Sequence, residues 1–198
     1  MINGLCLKNA IFSGANNILK HKNHVNELNI FPVPDGDTGT NMSMTISSAV
    51  EALKKVSDDA SVGEVVSSFV PALLRGARGN SGVILSILFR GFSQLFSQCN
   101  SEINGCDLAN ALNIGVKAAY GAVTKPTEGT MLTVARIASE KAQRASKINN
   151  DAVYVWSEIC AGAQEALKMT PDLLPVLKKA GVVDAGGKGL CLVFEGML

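Results

Sequence analysis

Two carboxylates separated by a single glycine, in Pro34-Asp35-Gly36-Asp37-Thr38-Gly39-Thr40-Asn41, are the residues whose spacing first suggests chemistry. In an extended turn an i, i+2 pair projects to one side, and at about 4 Å two unscreened charges repel by roughly 4 kcal/mol at an effective dielectric near 20. A hard divalent cation removes that conflict. Magnesium takes a few carboxylates together with phosphate oxygens and water, so Asp35 and Asp37 read as one side of a magnesium–nucleotide site. Taken alone, the same tripeptide also fits a surface turn.

Three further segments combine glycine with Asp, Thr, Ser or Asn directly before an apolar helical stripe. They are Gly76-Ala77-Arg78-Gly79-Asn80-Ser81-Gly82, Pro126-Thr127-Glu128-Gly129-Thr130 and Asp184-Ala185-Gly186-Gly187-Lys188-Gly189. Asn80 or Thr130 by itself would serve as a simple helix cap. Known phosphate frames do not fit: Gly187-Lys188-Gly189 lacks the P-loop spacing, no G-x-G-x-x-G follows a strand, and an EF-hand frame would place Thr40 and Ile46 where glycine and glutamate belong. Arg75 and Arg78 fit the end of the preceding helix better than a phosphate, and His21 and His24 lie in a polar stretch that reads as a solvated helix end.

The elements that must position these loops are helical nearly throughout. Stripes run through Ile11, Phe12, Ala15, Ile18 and Leu19; Met42, Ile46, Ala49, Val50 and Leu53; Val62, Val65, Val66, Phe69 and Leu73; and Leu85, Leu88, Phe89, Phe92 and Phe96. Four more follow Leu108 to Ala119, Met131 to Ala142, Val153 to Leu167, and Leu190 to Met197, those from Leu108 and Met131 rich in small residues that permit close approach. Ser61 and Glu64 form a capping-box pair, Pro71 predicts a kink or early break, and Thr170-Pro171 predicts the start of a short helix closed by Gly181. Only Leu28–Val33 resembles a strand, and the expected class is all-α, an eight-helix antiparallel up-and-down bundle. The four glycine-bearing loops precede stripes two, four, six and eight. In up-and-down helices alternate N-termini share one rim, so the loops should converge where unpaired amides and helix dipoles favour phosphate.

Composition bounds the rest. The chain has 198 residues, 47% hydrophobic and 18% charged, with a formal charge of +1, which gives no electrostatic reason to expect a nucleic-acid or acidic-membrane partner. Five cysteines without a C-x-x-C pair argue against a disulfide framework or zinc site and fit buried thiols in a reducing cytoplasm. No basic leader and no bilayer-length apolar run is present, so a cytoplasmic protein is expected. The final stripe runs to Leu198 without a stop signal, which suggests one helical domain, residues 1–198, of a longer chain.

The segment Asn29-Ile30-Phe31-Pro32-Val33-Pro34-Asp35-Gly36-Asp37-Thr38-Gly39-Thr40-Asn41-Met42, with the three later loops, resembles the hallmark of DhaL-like, or dihydroxyacetone-kinase L-type, nucleotide-binding domains. Among these it is most similar to the N-terminal ATP-binding domain of bacterial fatty acid kinase large subunits. The resemblance implies an eight-helix barrel that holds ATP or ADP with paired Mg2+ ions at one rim. Asp35 and Asp37 then match the metal-ligating, catalytic acids. Thr38, Thr40 and Asn41 match the phosphate side of that loop, and Gly79, Asn80 and Ser81 the second phosphate loop. Thr130 and Met131 match the nucleotide-facing start of the sixth long helix, and Asp184, Gly186 and Gly187 the closing loop. Dihydroxyacetone kinases carry a third aspartate upstream of the pair, where this chain offers Asn29 as a third metal position and a longer Phe31–Pro34 insert.

The implied activity is transfer of the γ-phosphoryl group of MgATP to a fatty acid carboxylate supplied by a separate fatty-acid-binding protein of the DegV type, with a homodimer expected of the full-length protein. The alternatives are a dihydroxyacetone-kinase-type phosphotransfer subunit holding ADP, a metal-dependent phosphatase of D-x-D-x-T type using Asp35 and Asp37, and a non-catalytic nucleotide sensor. Gly39 stands where the phosphatase frame needs threonine.

Overall fold

The computed structural model describes residues 1–99 and 102–198. Helices form where the apolar stripes predict them: α1 (Gly4–Glu27), α2 (Thr38–Leu53), α3 (Val62–Arg75), α4 (Gly79–Phe96), α5 (Gly105–Ala122), α6 (Met131–Ile148), α7 (Ala152–Leu173), α8 (Pro175–Ala180) and α9 (Ala185–Met197). Sequence neighbours from α1 to α8 pack side by side, α9 packs against α7 across the short α8, and α1 closes the ring against α9. Among the described residues there is no strand beyond one isolated bridge, Ile2 to Ile103. The Leu28–Val33 run is a loop containing the cis Phe31–Pro32 bond. Among the described residues there is also no parallel sheet of the kind a D-x-D-x-T phosphatase uses to carry its acids.

Close helix approach depends on small residues, as the glycine- and alanine-rich stripes predict. A side chain on Gly115 of α5 would strike the Leu88 carbonyl of α4, and one on Gly91 would strike the Ala111 carbonyl. Six of the ten aromatics form one run of ring contacts, from Phe69 through Phe89 and Phe92, with Phe96 beside it, to Trp156 and Phe194. Trp156 donates its indole N–H to the Phe194 carbonyl at 2.9 Å, so the largest buried side chain leaves no polar atom unpaired. This aromatic core lies toward the ends at which α4 and α9 finish.

Helix punctuation departs from expectation in two respects: the early break expected at Pro71 does not occur, and Thr170-Pro171 takes a different place. Helix α3 continues through Pro71 to Arg75, its orphaned carbonyl at Ser67 lying on an exposed residue that water can reach. Thr170-Pro171 does not start the short helix but completes α7, and Pro175 is the first-turn proline of α8. The Leu167 carbonyl that Pro171 cannot serve accepts the Thr170 hydroxyl at 2.7 Å. Gly181 closes α8 at φ +71°, as its position suggests. In α7 only Val153 departs from the expected stripe: it is exposed, while Trp156, Cys160, Ala163 and Leu167 are buried together with Ala152 and Val155. Of the cysteines, Cys160 and Cys191 are buried, whereas Cys6 and Cys106 are exposed. Burial pushes both buried thiols up to about 12. Among the described residues no helix is long and apolar enough to cross a membrane.

Candidate functional site

The first turns of the long helices differ in how they are capped. At α1, α3, α5 and α7 a local side chain accepts an orphan amide: Asn3 from Cys6 at 2.9 Å, Ser61 from Glu64 at 3.2 Å, Asn104 from Asp107 at 3.1 Å and Asp151 from Tyr154 at 2.9 Å. The N-cap residues of α2, α4 and α6, which are Asp37, Arg78 and Thr130, make no such bond. These three starts, with that of α9, which Asp184 caps locally, surround a single cavity of about 660 Å3, within the range of small-molecule sites. The convergence of alternate N-termini expected from the loop order is therefore present.

Asp35 is exposed and Asp37 half-buried at one edge of the cavity. Asn29, just upstream, is buried at 5% exposure, and its Oδ1 accepts from the Asp37 amide at 3.2 Å, the Thr38 amide at 3.1 Å and the Thr38 hydroxyl at 2.7 Å. Its Nδ2 donates to the Val33 carbonyl at 3.0 Å, closing the loop on itself. An oxygen that already accepts three donors has little left for a cation. Asn29 thus holds the acidic loop, a different task from the third metal position expected of it. Thr40 is also drawn elsewhere. Its amide donates to Asn26 Oδ1 and its hydroxyl accepts from Asn26 Nδ2, both at 3.0 Å, and it does not line the cavity.

Across the cavity, the start of α4 is the open anion seat. Gly79, Asn80 and Ser81 all line it, and no side chain caps their first-turn amides. Gly79 has φ +59°, and a Cβ there would lie 2.5 Å from Asn41 Nδ2, so glycine lets α4 begin against the α2 side chain. The Arg78 amide donates to Thr45 Oγ1 at 3.0 Å, fixing that start, while the Arg78 guanidinium turns to the Ala77 carbonyl.

The α5–α6 connection supplies the third wall through Lys125, Thr127, Thr130 and Met131. A cluster behind it holds the loop: Glu128 accepts from Tyr120 at 2.9 Å, Thr133 at 2.7 Å and Arg136 at 2.9 Å, and Thr133 Oγ1 accepts the Gly129 amide at 2.8 Å. Burial pulls the Glu128 carboxyl upward, but the bonds from Arg136, Thr133 and Tyr120 outweigh it and keep the acid below its ordinary value.

The fourth wall is Asp184 and Gly186. Asp184 is buried at 5% exposure and accepts from the Gly187 amide at 2.7 Å, and the Met131 amide at the start of α6 also favours its charged form. Burial pushes its carboxyl up to about 6 despite those amides. Its own amide donates to Thr170 Oγ1 at 3.0 Å. Gly187 does not line the cavity; a Cβ there would lie 2.8 Å from Val134 Cγ2, so this glycine serves helix packing.

A domain-family model described as the DAK2 domain matches residues 32–198. The chain belongs to the DAK2 domain family. It is 47% identical over 197 residues to Protein YloV of Bacillus subtilis and 48% identical to an uncharacterized protein of Staphylococcus haemolyticus, matching its whole length in each case. The chain spans only 35% of the length of either relative. Its fold is that of the helical part of the C. freundii dihydroxyacetone kinase, a structure in complex with AMP-PNP and Mg2+. The TM-score is 0.70 at 20% identity, over 96% of this chain and 33% of that one.

Sequence reading missed several walls of this DAK2 domain's cavity. Val83 and Ile84 line it because they fall outside the inward stripe of α4, a signal visible in the sequence as two apolar residues out of phase with Leu85 and Leu88. Phe31 and Val33 contribute from the α1–α2 loop, and Lys125 precedes the loop segment that drew attention. The cavity therefore combines apolar lining suited to a planar base with polar lining suited to phosphate. Among the described residues no three His, Cys, Asp or Glu side chains group around a common point. Asp35 and Asp37 suit a magnesium ion that arrives with phosphate oxygens, not a cage built wholly of protein.

Proposed function

We propose that this DAK2 domain binds MgATP in the cavity and is the nucleotide-holding part of a kinase that phosphorylates a fatty acid carboxylate, presented by a separate fatty-acid-binding protein of the DegV type. The observation that carries the nucleotide reading is the juxtaposition across one cavity of the Asp35/Asp37 pair and the uncapped Gly79–Asn80–Ser81 helix start. One side answers a cation and the other an anion, which is what a magnesium–polyphosphate demands. The similarity to fatty acid kinase large subunits supports the acceptor.

Asp35 and Asp37 would hold the magnesium, whose charge would screen the phosphates when bound. The amides of Gly79, Asn80 and Ser81 stabilise negative charge on the phosphate oxygens without having to reorganise. A carboxylate oxygen of the acceptor attacks the γ-phosphorus, the bond from γ-phosphorus to the β–γ bridging oxygen breaks, and ADP leaves with that electron pair as acyl phosphate forms. Carboxylic acids with ordinary values near 4 are already ionised at neutral pH, so the acceptor needs no general base. The cavity contains no histidine among the described residues, consistent with that chemistry.

Calorimetric titration of ATP in the presence of magnesium into wild type and Asp35→Ala/Asp37→Ala tests the site. Magnesium-dependent binding that weakens at least tenfold in the double variant is expected; equal affinity in both proteins rejects the metal–nucleotide reading. Adding lipid-loaded fatty-acid-binding protein and trapping acyl phosphate with hydroxylamine tests the acceptor. ADP that survives dialysis, with no acyl hydroxamate formed, favours the phosphotransfer alternative.

A further inference from the structure

Among the described residues that line the cavity, Lys125 is the one basic side chain, against the carboxylates of Asp35, Asp37 and Asp184. It is exposed and makes no ion pair. That freedom has a structural cause. The acid nearest along its loop is Glu128, three residues on, and a flexible lysine beside an available carboxylate would ordinarily pair with it. Here both Glu128 oxygens are engaged, Oε1 by the Tyr120 hydroxyl at 2.9 Å and Oε2 by the Thr133 hydroxyl at 2.7 Å and the Arg136 guanidinium at 2.9 Å. Arg136 in turn is held by Glu140 at 3.0 Å. The planar fork of arginine suits a fixed partner, whereas a lysine ammonium on four methylenes suits a ligand that comes and goes.

The loop is also turned so that Lys125 has a fixed base. The Thr127 hydroxyl donates to the Lys125 carbonyl at 3.3 Å and the Thr130 hydroxyl donates to the Thr127 carbonyl at 2.7 Å, placing Lys125 on the same short segment as the start of α6. The loop's acid faces away into the cluster and its cation is left to the cavity.

We infer that Lys125 is the phosphate-contacting cation of this site, reaching the polyphosphate of the bound nucleotide, with the Tyr120–Glu128–Arg136 cluster keeping it unpaired until the nucleotide arrives. This inference rests on the nucleotide reading above. It adds to that reading a side chain from the α5–α6 connection, opposite the acid pair, that compensates charge the acids cannot.

Titration of ATP with magnesium into wild type, Lys125→Met and Lys125→Arg, at low and high ionic strength, tests it. Loss of one charge-assisted contact predicts about a tenfold to hundredfold weaker affinity for Lys125→Met at low salt. The deficit should shrink as salt rises, and Lys125→Arg should recover most of it. Lys125 is exposed, so all three proteins should melt together. Equal affinity in wild type and Lys125→Met overturns the assignment, as does a deficit that is independent of salt and not restored by arginine. A wild type that binds no ATP removes the nucleotide reading and this inference together; a wild type that binds normally beside an unaffected Lys125→Met removes this inference alone.

Discussion

Replacing Asn29 by alanine separates a loop-holding role from a metal-ligating one. The substitution removes four hydrogen bonds: three donors lose the Oδ1 acceptor, and the Val33 carbonyl loses its Nδ2 donor. Each such bond contributes about 0.5–1.5 kcal/mol net, and an orphaned buried group costs more. Asp37 and Thr38 are half-buried, so water can reach part of what is lost, and the lower half of the range applies. The expected cost is about 3 kcal/mol, or roughly 6–12 °C in melting midpoint for a chain of this size. Asn29→Asp retains an acceptor for all three donors and loses only the bond to Val33, so its cost should be about 1 kcal/mol. Urea unfolding without metal or nucleotide measures both. If Asn29 served only as a cation ligand, the metal-free protein would not register its loss, and an Asn29→Ala midpoint within about 0.5 kcal/mol of wild type would refute the reasoning.

The buried Asp184 gives a pH dependence of known sign. Its carboxyl titrates at about 6 when folded and near 4 when unfolded, so the folded chain binds the extra proton between those values and stability falls as pH rises from about 4 to about 6. Asp184→Asn keeps a capping oxygen and should remove up to about 3 kcal/mol of that slope in urea midpoints taken from pH 4 to 7; an unchanged slope counts against it. Gly79→Ala puts a side chain at φ +59° and 2.5 Å from Asn41 Nδ2, which should cost about 1–2 kcal/mol for the backbone alone and weaken ATP binding by displacing Asn41, as circular-dichroism melting and titration would show.

The helices and the convergence of their starts were legible because both follow from periodicity. A stripe at 3.6-residue spacing fixes which face is buried, and up-and-down order fixes which ends meet. What the sequence did not disclose were bonds between residues far apart in the chain. Asn29 looked like a degraded metal ligand because its three donors, at Asp37 and Thr38, lie eight and nine residues away and meet it only once the loop has closed. Thr40 looked like a phosphate contact until Asn26, fourteen residues earlier, claimed it. Pro171 looked like a helix start because nothing local reveals that the Thr170 hydroxyl serves the Leu167 carbonyl and so lets α7 continue. Lys125 carried no signal because its availability depends on Arg136 engaging Glu128.

The two poles of the bundle solve the orphan-amide problem differently, and the difference bears on function. At the starts of α1, α3, α5 and α7 the cap comes from the N-cap residue itself. A local cap lays its oxygen over the first turn, in the space an approaching anion would need. At the cavity, α2 is served by Asn29 and Asn26 from α1 and the loop after it, and α4 by no side chain at all, while α9 alone keeps a local cap, Asp184 accepting its Gly187 amide. Acceptors that come from another element can satisfy an amide from the flank and leave the helix axis open. Stability that a serine or asparagine would have supplied locally is moved onto a few long-range contacts, so the site becomes dependent on the loops that close around it. Asn29 is therefore expected to be more costly to remove than the local caps at the opposite pole, although it need not touch the nucleotide.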